Sequence, residues 1–255
     1  MDLTLTYDRP MDGPGSGPVT VGWFLADDKG AVLYDPPERV AIRAPNRSHA
    51  KSASRCPAVI QMESRYFVIK CPYDLQIGFG RDDKGKPHLI NRPGTASAVR
   101  ANKLNEILTL VSEAEWRFPD RPTVQLHLPY CFIADEPVYL SQLSAFAHYR
   151  PDPLPGTIFG GRMPISIWPR PLMWAFEWHE PAKDLILRRG EPLFYVQFEG
   201  VDPSRPVQLV EAEKTPELKA YLEKLTGVVN YVNQTFALFK AAEAMRPKTL
   251  LVPKR

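Results

Sequence analysis

The histidines are the first residues that could do chemistry, because an imidazole can bind a metal ion or transfer a proton near neutral pH. No histidine belongs to a His-x-His, His-x-Asp or His-Glu-x-x-His motif, the spacings that bring metal ligands together on one strand or helix. The sequence therefore predicts no metal site. The alternative is a site assembled from separated residues, for which the candidates are His127, His148 and His179, together with Glu177.

Nucleophilic catalysis and phosphate binding also lack their usual motifs. No Gly-x-Ser-x-Gly elbow is present, and the glycines of residues 159–162 (FGGR) are not followed by the Lys-Ser or Lys-Thr pair of a phosphate-binding loop. His127 and Cys131 stand four residues apart, so on a regular strand they would share a face and could form a thiol–imidazole pair. Pro129 lies between them, and a core strand is the favoured interpretation.

An aromatic pattern is the main candidate for ligand binding. Residues 155–178 (PGTIFGGRMPISIWPRPLMWAFEW) contain three tryptophans. On a strand, Trp174, Phe176 and Trp178 would form a ladder on one face, and Glu177 would lie on the other. Such a ladder could stack on a base or a sugar, or it could pack a core.

Charged residues complete the predicted binding set. Arg162 and Arg170 flank the ladder and could bind an anion. Asp74 stands at the start of a predicted strand, where an aspartate either shapes a turn or faces a site. The sequence identifies no cofactor. The predicted ligand-binding residues are Arg162, Trp174, Glu177, Trp178 and Asp74.

Charge and hydropathy restrict the partners of the chain. Its 255 residues carry a formal net charge of +3, and no basic run exceeds the doublet Arg188-Arg189, so nucleic acid is not an expected partner. No apolar run approaches the roughly 20 residues that span a bilayer, and the aspartates at positions 2, 8 and 12 do not fit a signal peptide. Three widely spaced cysteines indicate free thiols in a reducing compartment. We expect a soluble, cytoplasmic protein whose partner is a small molecule.

The proline content predicts the architecture. The 27 prolines are spread along the chain, and proline breaks long helices but suits short strands joined by turns. Residues 103–116 fit either a strand through 107–111 or a helix, and the strand is the favoured interpretation. We predict that residues 1–210 form one mainly β domain, a barrel or a sandwich. Alternating apolar residues indicate strands at 3–7, 19–25, 66–70 and 74–79, and twice within 184–200.

Only the C-terminal region is predicted to be helical. Apolar residues recur at spacings of three, four and seven from Leu218 to Phe239, the period of an amphipathic helix. Thr215 is placed to cap this helix, and Pro216 to begin it. We predict that residues 211–255 form a long helix and a tail packed on the same domain. A homodimer through this helix is the alternative.

Part of the chain resembles a known superfamily. Pro155-Gly156-Thr157-Ile158, followed later by Gly190-Glu191-Pro192-Leu193 and an apolar strand, resembles the third conserved motif region of the dUTPase and dCTP deaminase superfamily. The resemblance covers residues 155–198 and implies a dUTPase-like fold. Phe159 stands where those enzymes have the aspartate that activates water, and Tyr195 where they have a glutamine. Because phenylalanine cannot accept a proton, the resemblance does not extend to pyrophosphatase chemistry.

A longer stretch, residues 55–245, is similar in its order of segments to a group of uncharacterised proteins encoded by tailed phages and some bacteria. The order runs from RCP and YFVIKCPYDLQI, through a strand pair around Pro129, to PG-x-I, RGEPLFYVQF and a C-terminal helix. This resemblance implies a β-rich body and assigns no activity.

Two functions are consistent with these features. The first, which we favour, is a binding protein that holds a small molecule and has no recognisable hydrolytic motif. The second is an enzyme, either a degenerate nucleotide hydrolase or deaminase-like protein, or a metal-dependent oxygenase on a β-barrel.

Overall fold

A computed structural model describes residues 17–42, 51–52, 55–92, 97–226 and 235–254. The helices in this part of the chain are α1 (Pro57–Glu63), α2 (Leu104–Ile107), α3 (Pro216–Leu225) and α4 (Thr235–Met245). The strands are β1 (Val19–Leu25), β2 (Glu38–Arg39), β3 (Tyr66–Lys70), β4 (Leu75–Arg81), β5 (Pro87–Asn91), β6 (Leu108–Leu110), β7 (Thr123–His127), β8 (Tyr130–Ile133), β9 (Val138–Ser144), β10 (Gly156–Ile158), β11 (Arg162–Pro164), β12 (Met173–Trp178), β13 (Leu185–Leu187), β14 (Pro192–Gly200) and β15 (Val207–Glu211).

The strands form four sheets. In the first sheet, β1 lies between β15, which runs parallel to it, and β8, which runs antiparallel. The second sheet has the order β10-β12-β7-β6, the third β11-β9-β14-β3-β2 and the fourth β13-β4-β5. All pairings within these three sheets are antiparallel. The protein is therefore mainly β, as predicted.

Of the two predicted architectures, a barrel or a sandwich, the closed barrel is wrong. Within the described part of the chain, each sheet ends in strands that pair on one side only. Some of these end strands carry proline: β11 has three residues and ends at Pro164, and β5 begins at Pro87. Because proline has no N–H to donate, a hydrogen-bonded ladder does not continue through it, which favours open sheet edges.

One core joins the four sheets. Its buried side chains come from each of them, for example Leu126 in the second sheet, Phe194 in the third and Ile77 in the fourth. Successive side chains of a strand point to opposite faces, so in β9 Leu140 is buried while Tyr139 is exposed. The alternation of apolar residues in the sequence thus indicates which face of each strand is buried in the core.

Several predicted strands are found. β1 and β3 have the predicted bounds, whereas the strand predicted at 3–7 lies outside the described residues. The strand prediction for 107–111 is wrong in part, because a helical turn, α2, comes first and β6 begins only at Leu108. Leu104 and Leu108 are both buried, and their spacing of four suits one face of a helical turn.

Residues 156–164 cross from the second sheet to the third. β10 pairs with β12, whereas β11 pairs with β9, and Gly160-Gly161 lies between β10 and β11. Gly156 stands where β10 approaches β12: a Cβ here would lie 2.0 Å from the carbonyl oxygen of Glu177. No other residue type fits such a close backbone approach. The Pro-Gly and Gly-Gly pairs therefore mark a corner of the scaffold.

The prediction of one long C-terminal helix is wrong, because the described residues form two short helices. α3 begins as predicted, since the Leu218 N–H donates to the Thr215 hydroxyl at 3.2 Å. It ends before Thr226, which is extended (φ −67°, ψ 132°) and whose hydroxyl donates to the carbonyl oxygen of Leu222 at 2.9 Å. A glycine, typical of helix ends, follows in the sequence. Residues 227–234, which the predicted stripe included, lie outside the described residues.

α3 packs on the β body through its apolar face. Leu218 and Tyr221 are buried in one cluster with Phe24 of β1 and Cys131 of β8. The Tyr221 hydroxyl donates to the carbonyl oxygen of Ile167 at 2.7 Å. The body of the same chain thus covers this face. No helix among the described residues has both the length and the apolarity that a bilayer crossing requires.

Candidate functional site

Three cavities formed by described residues are large enough for a small molecule, since ligand pockets usually measure about 300–1000 Å³. The helix cavity, lined by Phe24, Trp168 and Leu222 among others, has a volume of about 1010 Å³. The edge cavity, beside Leu89 and Leu110, measures about 650 Å³. The third measures about 630 Å³ and lies between the second and third sheets; we name it the sheet cavity.

We take the sheet cavity as the candidate site. Thr226, one of the residues that line the helix cavity, directly precedes residues 227–234, which lie outside the described part of the chain. All residues that line the sheet cavity belong to the continuously described range 97–226. Of the three cavities, it is the one lined by a residue of the predicted binding set, Trp174.

Four strands and one connecting segment build the sheet cavity. β9 and β14 contribute from the third sheet, β10 and β12 from the second, and residues 145–155 follow β9 along one side. The exposed Ser144, Phe146 and Thr157 also line it, so the cavity opens to solvent where these side chains lie. The corner at 156–164 holds the two sheets side by side.

Gln142 connects the two sheets at the cavity wall. Its side chain is buried, and its Nε2 donates to the carbonyl oxygen of Met173 in β12 at 3.1 Å. Its backbone N–H donates to the carbonyl oxygen of Gly161 at 2.8 Å. Because both bonds cross between β9 and neighbouring segments, Gln142 fixes the spacing of the walls.

Trp174 is the central aromatic residue of the cavity wall. It is fully buried and stacks on Phe176, with ring centroids 4.9 Å apart and an interplanar angle of 10°. Its indole Nε1 is buried and has no hydrogen-bond partner among the described residues. Proteins pair nearly all buried donors, so this N–H is a site at which an acceptor would be stabilised.

Arg150 supplies the positive charge of the cavity. Its side chain is only 18% exposed. Its Nη2 donates to the carbonyl oxygen of Ile186 at 3.1 Å and lies 3.2 Å from Glu191 Oε2. Its Nε, by contrast, is buried without a hydrogen-bond partner in the described structure. The contacts with Ile186 and Glu191 therefore both use Nη2, and Nε has no acceptor in the described structure.

The remaining lining is mainly apolar. Leu143, Leu154, Ile158 and Leu193 line the cavity, and His148 is the only histidine among the lining residues. No aspartate or glutamate in the described ranges lines it. The arrangement offers an apolar surface with a few donors, which suits binding and orientation of a ligand.

The predicted binding residues do not meet in one cavity. Of the predicted set only Trp174 lines any of the three cavities. The ladder containing Trp174 and Trp178 belongs to the core, and Trp178 Nε1 donates to the carbonyl oxygen of Lys183 at 3.0 Å. Arg162 pairs with Glu199 at 2.8 Å instead of facing the ladder.

Asp74 directly precedes β4 of the fourth sheet and forms hydrogen bonds with two backbone N–H groups. Its Oδ1 accepts a hydrogen bond from the Arg189 N–H at 3.0 Å, and its carbonyl oxygen accepts one from Ala98 at 2.8 Å. The first bond connects the start of β4 to the turn after β13, and the second connects it to the segment before α2. The contacts are those of a residue that shapes a turn.

Glu177 lies in a separate cluster on the opposite face of β12. Its side chain is 5% exposed, and its Oε1 lies 2.9 Å from His179 Nε2. Arg121 Nη1 lies 3.7 Å from the same oxygen, and Arg117 Nε lies 3.7 Å from Oε2. Two guanidinium groups and an imidazole thus surround one buried carboxylate. Neither Glu177 nor Phe159 lines any of the three cavities.

The candidate metal-binding histidines have three different environments. His127 lines the helix cavity and lies 2.8 Å from the Thr109 hydroxyl, His148 lines the sheet cavity, and His179 contacts Glu177. In the part of the chain that is described, no three His, Cys, Asp or Glu side chains are placed to hold a metal ion together.

Cys131, the other half of the suggested thiol–imidazole pair, is fully buried. Burial raises the pKa of its thiol to about 12, because a thiolate is poorly solvated away from water. Since the thiolate is the nucleophile, Cys131 is unreactive at neutral pH. The core-strand interpretation fits this placement.

Sequence reasoning missed Arg150 and Gln142. Arg150 is one of many scattered cationic residues, and only its position beside the prolines of 151–155 distinguishes it. Gln142 lies in a regular strand pattern, where a buried amide has no local signature. Neither residue could be assigned to the cavity without knowing which strands are neighbours.

The chain was compared with models of protein families, with curated proteins and with solved structures, and no match was found in any of the three comparisons.

Proposed function

We propose that this protein binds a small molecule in the sheet cavity. The observation that carries the proposal is that Trp174, whose buried indole N–H has no hydrogen-bond partner among the described residues, lines a mainly apolar cavity of about 630 Å³. An apolar pocket with a few well-placed polar groups is the usual form of a ligand site. This proposal retains the binding function expected from the sequence but moves the site from the ladder to the cavity.

Residue roles follow from the geometry. The apolar side chains, such as Leu154 and Ile158, would contact the body of the ligand, and Gln142 would hold the walls in place. Trp174 and Arg150 would supply hydrogen bonds. We assign no catalytic residue.

A cavity-filling variant tests the proposal. Ser144 lies on the same face of β9 as Leu140 and Gln142, lines the cavity and is exposed, so Ser144→Trp should fill the entrance without disturbing the core. Ser141→Trp is the matched control on the same strand, because Ser141 lines none of the three cavities. Saturation-transfer NMR with a panel of small neutral and charged aromatic compounds should detect binders to the parent protein and to Ser141→Trp, and none to Ser144→Trp.

The same panel can contradict the proposal. If no compound binds the parent protein, or if every compound that binds the parent also binds Ser144→Trp equally well, the sheet cavity is not a ligand site. Circular dichroism spectra that match the parent's would show that both variants are folded.

A further inference from the structure

We infer that the ligand of the sheet cavity is a carboxylate on an apolar body, with Trp174 and Arg150 donating hydrogen bonds to the carboxylate. This inference rests on the proposed function and specifies its ligand. The class includes aryl- and alkyl-carboxylic acids small enough for a cavity of about 630 Å³.

The unpaired polar atoms determine which partner is needed. Trp174 Nε1 and Arg150 Nε are both buried, lack hydrogen-bond partners among the described residues and belong to side chains that line the same cavity. Both groups can only donate, because neither an indole N–H nor a guanidinium has an acceptor. A ligand that satisfies them must therefore present acceptor oxygens.

The charge of the lining favours an anion over a neutral acceptor. Among the described residues, Arg150 is the only lysine or arginine that lines the cavity, and no aspartate or glutamate of that part of the chain lines it. Glu191, which lies outside the lining, contacts Arg150 through Nη2. Glu191 therefore offsets part of the guanidinium charge, and the unpaired Nε is the group left to donate to the ligand. A hydrogen bond between a guanidinium and a carboxylate is roughly twice as strong as one between neutral groups.

The rest of the lining requires an apolar body. Leu143, Leu154, Ile158 and Leu193 surround the cavity, and Phe146 lies at its opening. A free inorganic anion would leave these side chains without contact, whereas an alkyl or aryl group would bury their surface. Since both nitrogens are shielded from bulk water, binding includes a small side-chain adjustment that brings the acceptor to them.

Matched acids and amides test the ligand class. The probes are octanoate, phenylacetate and indole-3-acetate, each compared with its primary amide at pH 7.5, and the dissociation constants are measured by isothermal titration calorimetry. At least one acid should bind, and its amide should bind about tenfold or more weakly, because the amide loses the charge-assisted hydrogen bond.

Two variants assign the donors. Trp174→Phe keeps an aromatic ring in the core but removes the N–H, and Arg150→Lys keeps the charge but removes Nε. Each variant should weaken binding of the acid by about tenfold and reduce the difference in dissociation constant between the acid and its amide. Trp178→Phe is the matched control for tryptophan loss, because Trp178 Nε1 is already paired with the Lys183 carbonyl oxygen and lines none of the three cavities.

The outcomes separate this inference from the proposed function. If amides and acids bind equally and Ser144→Trp abolishes both, the cavity is a ligand site but the carboxylate inference is wrong. If acids bind and Ser144→Trp leaves their affinity unchanged, the acids bind elsewhere and the inference is overturned. If compounds of the aromatic panel bind but no acid does, the carboxylate inference is wrong and the proposed function stands. If no compound binds at all, both the inference and the proposed function are wrong.

Discussion

At the scale of single residues, the two tryptophans of the ladder differ in one hydrogen bond. Trp174 and Trp178 lie on one face of β12 and are equally buried, yet only Trp178 pairs its indole N–H, with the carbonyl oxygen of Lys183. The unpaired donor on Trp174 makes it a candidate for binding, although the sequence does not distinguish the two positions. The site therefore depends on what surrounds each residue more than on its type.

The three cysteines give a prediction at this scale. Cys71 and Cys131 are buried, which raises the pKa of each thiol to about 12, whereas Cys56 is exposed. Because the thiolate is the reactive form, Ellman's reagent at pH 8 should label one thiol rapidly in the native protein and three after unfolding in guanidinium chloride. The variant Cys56→Ser should show no rapid labelling; rapid reaction of Cys71 or Cys131 in that variant would contradict their burial.

At the scale of elements, the close approach of β10 and β12 decides the geometry of the cavity. β10 pairs with β12 in the second sheet, and the chain then crosses to β11 in the third. Gly156 permits this approach, and Gln142 connects β9 to β12 on the other side. The corner therefore positions Trp174 against the third sheet.

Gly156→Ala tests the importance of this approach. The new Cβ would lie 2.0 Å from the carbonyl oxygen of Glu177, so the strands must separate, and the free energy of unfolding should fall by about 1–3 kcal/mol or more. Urea unfolding followed by tryptophan fluorescence measures the change. Gly17→Ala is the control, because a Cβ at Gly17 meets nothing within 4 Å. Equal urea midpoints for Gly156→Ala and Gly17→Ala would show that β10 and β12 do not approach so closely.

At the scale of the whole molecule, the C-terminal region is attached to the β body at several places. The Ala212 N–H donates to the carbonyl oxygen of Trp23 at 2.8 Å, and Asp135 Oδ1 accepts a hydrogen bond from the Leu250 N–H at 2.6 Å. Leu250 is fully buried in the cluster that contains α3. A homodimer through the C-terminal helix stays a prediction, and it would have to use a face of α3 other than the one packed on the body.

These attachments predict that residues 1–210 and 211–255 unfold together. Leu250→Ala should lower the free energy of unfolding by about 2–5 kcal/mol, because it removes a fully buried side chain. Thermal unfolding followed by far-UV circular dichroism and by tryptophan fluorescence should show one coincident transition, shifted to lower temperature in the variant. Val201→Ala is the control, since Val201 is 80% exposed. Two separate transitions would show that the C-terminal region is an independent unit.

The local features of the fold could be predicted from the sequence. The bounds of β1 and β3 follow from apolar alternation, the start of α3 follows from Thr215 and Pro216, and the corner near Gly156 follows from its glycines and prolines. Each of these depends on residues close together in the chain, because backbone conformation and capping are local properties.

The tertiary structure alone decided the rest. Whether the strands close into a barrel depends on which edges pair, and alternation is the same in an open sheet and in a closed one. The end of α3 before Thr226 could not be predicted, because the helical spacing of apolar residues continues beyond that position in the sequence. The candidate site requires Arg150, which follows β9, to lie near Trp174 of β12 across two sheets. No local pattern contains that information, because it arises only when strands distant in sequence pack against one another.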